Sequence, residues 1–174
     1  METRIGKHLA IDLGDKRTGL AICDAYGIFP APLTTLHIES RDELAAKIVK
    51  LCEEQEVEQI VIGLPLHMDG QSGHRADLSR QFAEKLVALG SPPVDYEDER
   101  LTSWEASERL VGAGITGRER KAKLDAAAAL IVLEAYLSRI MPEREVPEIR
   151  PEDMPHMPME RGFERKNPRK KRRR

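Results

Sequence analysis

Apolar residues fall into short continuous runs near the N-terminus and into spaced stripes further along. HLAID (8–12) and TGLAIC (18–23) are runs of strand length. GDKR between them suits a turn, so the two predict an antiparallel hairpin. GIFPAP (27–32) reads as a Gly/Pro loop and LTTL (33–36) as a third strand. SRDE (40–43) has the S-x-x-E spacing of a capping box. The helix it opens carries Leu44, Ala45, Ile48, Val49 and Cys52 on one stripe. QIVIG (59–63), a continuous apolar run ended by glycine, is the mark of a buried parallel strand. LPLHMDGQSG is a loop, followed by a helix over residues 74–89 that stops at Gly90 and SPP. VDYE (94–97) predicts the next strand. TSWE (102–105) is another capping box, starting a short helix to Ala113. GAGITGRERKAK reads as a flexible basic connection, and the last helix runs from Leu124 to Ile140 through DAAAALIVLEAYL. The order is hairpin, third strand, helix, strand, helix, strand, helix, helix, which predicts an α/β domain with a mixed sheet over residues 1–141. After Pro142 the Pro, Met and charge content rises, and residues 142–174 are expected to be a disordered tail.

Composition narrows the class. A chain of 174 residues, 40% hydrophobic and 33% charged, is long enough for one domain with a substantial core. No stretch approaches the roughly 20 apolar residues of a spanning helix. METRIGKH has no signal-peptide character. The expectation is a cytoplasmic protein with no membrane partner. Cys23 and Cys52 form no C-x-x-C or zinc pattern and read as reduced thiols. The net charge of −2 hides an asymmetry, because the final RKNPRKKRRR holds eight Lys or Arg. Without them the body keeps 20 basic against 30 acidic residues, a net of −10. Only the tail is attractive to a polyanion, either as a salt-sensitive tether for nucleic acid or as a solubilising end.

Candidate chemistry lies in the acids at strand ends, because active groups of α/β sheets gather there. Asp12 ends the first strand, Asp98 and Glu99 end the last, and Asp125 opens the final helix. Together they form a self-repelling cluster that suits a hard cation with oxygen ligands, Mg²⁺ or Mn²⁺. Singly, each has a plainer role: a turn acid at Asp12, a partner for Arg100 at Asp98 or Glu99, a dipole-complementing acid at Asp125. Lys16, Arg17 and Arg100 are candidate phosphate contacts or partners of the adjacent acids. His67 reads as a loop histidine and Trp104 as a packing residue; aromatic residues make up only 4%, so base stacking is not expected.

IDLGDKRTGLAICD, IVIGLPLHMDGQSG, DERLTSWEASERL and KLDAAAALIVLEAYL, in this order, resemble the YqgF/RuvX family over residues 5–140. The resemblance implies a ribonuclease-H-like fold, a five-stranded mixed sheet flanked by helices. It also implies a metal-dependent nuclease whose catalytic and metal-holding acids match Asp12, Glu99 and Asp125, with Glu99 favoured over Asp98. Adjacent strand residues face opposite ways, so only one of that pair serves. The function it implies is processing the 5′ end of precursor 16S rRNA in ribosome biogenesis. Precursor rRNA and ribosomal particles are then the expected partners, for a monomer or a homodimer. The alternatives are Holliday junction resolution and a non-catalytic RNA-binding module. DLGDKRTG also resembles the first phosphate loop of actin-like ATPases, but those need two lobes and this chain has length for one.

Overall fold

In the computed structural model, residues 3–66, 73–99 and 118–142 are described, with side chains from 124 onward in the last segment. The strands are β1 (His8–Leu13), β2 (Arg17–Ile22), β3 (Ala31–His37), β4 (Gln59–Leu64) and β5 (Val94–Asp98). The helices are α1 (Arg41–Gln55), α2 (His74–Ala88) and α3 (Arg118–Ile140). They form one five-stranded sheet in the order β3-β2-β1-β4-β5. β1 and β2, and β2 and β3, pair antiparallel; β1 and β4, and β4 and β5, pair parallel. The mixed sheet matches the expectation from the run pattern.

The two faces of the sheet differ in side-chain size, and the difference places the helices. Leu9, Ile11, Leu20, Ile60 and Ile62 fill one face and pack on Leu44, Ile48 and Cys52 of α1 and Phe82, Ala83 and Leu86 of α2. The other face carries Ala10, Ala21, Cys23 and Val61 under Ala129, Val132, Leu133, Tyr136 and Leu137 of α3. Small residues on that face let the helix backbone come close. At Gly19 a Cβ atom would lie 1.8 Å from the carbonyl oxygen of Asp125. Only glycine tolerates such an approach, because real Cβ atoms essentially never come within 3.0 Å of a neighbour. Cys23 and Cys52 form no disulfide with each other and are buried in opposite layers.

Local signals set most boundaries. Ser40 caps α1, its Oγ accepting from the amides of Asp42 and Glu43 at 3.2 and 3.3 Å. α2 ends before Gly90, whose φ is +81°. Two boundaries differ from the sequence reading. β3 begins at Ala31, inside the expected loop, with Pro32 opposite Ala21 where the ladder shifts register. Proline is tolerated there because β3 is an edge strand. α3 begins at Arg118, so RERKAK is helical rather than a flexible connection. Arg, Glu, Lys and Ala are strong helix formers, and nothing after Gly117 breaks the run. Asp125 therefore sits two turns inside the helix rather than at its start. The expected helix at 102–113 and most of the tail lie outside the described residues. Among the described residues, no helix is long and apolar enough to cross a membrane.

Candidate active site

Strand parity brings the acids to one face at the carboxyl edge of β1 and β4. Asp12 pairs with Gly19 and so shares its face, the face under α3. Gly63 of β4 pairs with Glu97 of β5, and Leu64 with Asp98. Glu97 reaches α3 through a 2.9 Å hydrogen bond from Arg139 Nε, so this parity also belongs to the α3 face. Glu99, two residues beyond Glu97, returns to it. A Cβ on Gly63 would lie 2.0 Å from Glu99 Oε1 and 3.2 Å from Val132 of α3. The glycine is thus a cradle for the Glu99 carboxylate. Asp98 follows the parity of Val94 and Tyr96, which pack on the α1/α2 side.

Electrostatics link these positions. Burial pushes the Asp12 carboxyl up to about 6; the negative charge of Asp125 adds to the rise and Arg75 opposes it. Burial pushes Glu99 up to about 7, with Asp12 and Asp98 adding and Arg75 opposing. The charge of Asp12 thus disfavours ionisation of Glu99. Asp125, by contrast, is engaged by Arg17 of β2, whose Nε donates to Oδ2 at 2.5 Å. Among the described residues, no group of three His, Cys, Asp or Glu side chains is gathered closely enough to hold a metal ion.

The other candidates divide. Arg17 is held by Asp125, an acid 108 positions along the chain rather than an adjacent one. Lys16 stands at the β1–β2 turn, where its carbonyl accepts from Ile38. Arg100, His67 and Trp104 lie outside the described residues. The sequence reading missed Arg75, in the first turn of α2, whose charge acts on both Asp12 and Glu99. It also pairs with Asp15 of the β1–β2 turn at 3.7 Å. A signal was available: a cation in the first turn opposes the helix dipole and is disfavoured without another reason to be there.

Residues 6–139 match the family described as "RuvX: Holliday junction resolvase". The chain belongs to the RuvX family. A relative from Chloroflexus aurantiacus, named "Putative pre-16S rRNA nuclease", is 42% identical over 129 residues, 74% of this chain and 84% of its own. One of the same name from Anaeromyxobacter dehalogenans is 40% identical over 134 residues, 77% of this chain and 98% of its own. By family and relatives the chain is a nuclease of the hydrolase class. Among solved structures, the fowlpox virus resolvase bound to Holliday junction DNA superposes with a TM-score of 0.50 at 9% identity, covering 78% of this chain and 99% of the resolvase. That likeness concerns the fold, a ribonuclease-H-like mixed sheet.

Proposed function

We propose that this RuvX-family nuclease cleaves phosphodiester bonds of precursor 16S rRNA, using Asp12, Glu99 and Asp125 around a divalent ion. The observation that supports the site most is the pair Asp12 and Glu99. They share one sheet face, and each is raised well above the ordinary carboxylate range by burial and by a neighbouring acid. Buried like charges of this kind are unfavourable alone and are relieved by a hard cation. The donor set is all carboxylate oxygen, which fits Mg²⁺ or Mn²⁺. The Gly63 cradle further fits a site in which Glu99 is held in one place. When bound, the ion would supply an acidified water and stabilisation of the leaving oxygen. Asp12 and Glu99 would hold it from the sheet, and Asp125 would join from α3 by exchanging Arg17. Arg17 so released becomes available to phosphate; Lys16 and Arg100 are the further candidate phosphate contacts by sequence.

The name carried by the relatives favours precursor rRNA as substrate; the description of the family favours a four-way junction. Purified protein with Mn²⁺ or Mg²⁺ on precursor rRNA ends and on a four-way DNA junction, side by side, separates them. The expected result is ion-dependent cutting of the RNA, lost in Asp12→Asn and Glu99→Gln. Cutting of the junction alone would replace the substrate. Full activity in both variants would remove these acids from the site.

A further inference from the structure

A phosphate entering a notch of acids needs a cation already there, and the described cations near it are not equivalent. Arg17 is bound to Asp125 at 2.5 Å and both are less than one-third exposed. Arg75 is 62% exposed, and its contact with the 74% exposed Asp15 is loose at 3.7 Å. An exposed pair at that distance contributes little and is readily exchanged. Arg75 leads from α2, directly after the β4 loop, to the edge where Gly63 cradles Glu99, and its partner Asp15 lies three residues beyond Asp12. Its five donors form a planar fork that matches two phosphate oxygens.

We infer that Arg75 is a substrate-binding residue of this site, gripping an RNA backbone phosphate over the Asp12–Glu99 pair, and that Asp15 holds it until substrate takes its place. The inference rests on the nuclease reading and deepens it by naming how the polyanion is received. Asp15 is then a positioning residue, acting through Arg75. On binding, the guanidinium exchanges one carboxylate for the phosphate, so substrate gains a contact and Asp15 returns to water.

The test reads binding without turnover. A short fluorescein-labelled single-stranded RNA is titrated, without divalent ions, into the full chain and into Arg75→Ala, Arg75→Gln, Asp15→Asn, the Asp15→Asn/Arg75→Ala double variant and Lys85→Ala. Lys85, in the last turn of α2, pairs with Asp42 and controls for general charge loss. Arg75→Ala and Arg75→Gln should weaken binding several-fold and flatten the slope of log K against log salt by about 0.7–1, while Lys85→Ala leaves that slope in place. Asp15→Asn should tighten binding in the parent and leave it unchanged in the Arg75→Ala background. Melting curves confirm that the variants fold. Wild-type affinity and slope in both Arg75 variants would overturn the inference, as would equal tightening by Asp15→Asn with and without Arg75. If RNA binds as described but no nucleic acid is cut with Mn²⁺, the phosphate contact stands and the nuclease reading falls.

Discussion

Replacing Asp12 with Asn should make the ion-free protein more stable while removing its activity. The Asp12 carboxyl rises from 3.8 to about 6 on folding. At about 1.4 kcal/mol for each tenfold change in proton affinity, that rise corresponds to about 3 kcal/mol. Asp12 is half-buried, so partial screening by water brings the expected gain to about 2–3 kcal/mol. The sign follows from proton binding. The folded chain holds this proton more tightly than the unfolded one, so stability falls as pH rises from about 4 through about 6. Glu99, raised to about 7, extends the decline. Asn carries no charge at any of these pH values. The advantage of the variant should therefore be absent near pH 4 and complete near pH 8. At roughly 2–4 °C per kcal/mol, its Tm at pH 8 should exceed that of the parent by about 4–12 °C. Calorimetry of both proteins at pH 4, 6 and 8, in EDTA, measures it. Added Mn²⁺ should then raise the Tm of the parent far more than that of Asp12→Asn. A variant no more stable than the parent at pH 8, or equally stabilised by Mn²⁺, would refute the account of Asp12 as a strained, cation-seeking carboxylate.

Gly63→Ala should abolish cleavage with a modest loss of stability, about 1–3 kcal/mol by urea unfolding, because the new methyl occupies the Glu99 carboxylate position. Gly19→Ala should cost more, toward the top of that range or beyond it, and lower the Tm sharply; its methyl meets helix backbone, which cannot rotate away as a side chain can. Ser40→Ala should cost about 1 kcal/mol by removing the α1 cap, with cleavage unchanged at a temperature where both proteins are folded.

The strands were legible in the sequence because each central one is a short apolar run bounded by glycine, proline or charge. HLAIDL and QIVIGL also announce their two faces, since large and small residues alternate in them. Leu9 and Ile11 point to one layer, and Ala10 and Asp12 to the other. The same alternation separates Glu99 from Asp98. It could not by itself say which parity faced α3, because that depends on the register of β4 with β5 and on the Glu97–Arg139 contact. The start of α3 is hidden because RERKAK has the charge of a basic linker as well as the propensity of a helix. The start of β3 is hidden because Pro32 carries a loop signal, which only the edge position of the strand overrides. Arg75 is no sequence neighbour of the acids: it comes 63 positions after Asp12, and its charge acts there because the parallel pairing of β1 with β4 brings α2 to that edge. The Arg17–Asp125 pair spans 108 positions and depends on α3 lying against β2.

The acidic edge draws on the first strand, the end of the fifth strand and the last helix, so its parts are made at opposite ends of translation. A polypeptide stalled before residue 125 has Asp12 and Glu99 but no partner for Arg17, and it lacks the layer that covers Ala10 and Ala21. On the proposed three-acid site, the ion-holding set is complete only once α3 has been made, so a nascent chain that ends before Asp125 would not yet cut nucleic acid.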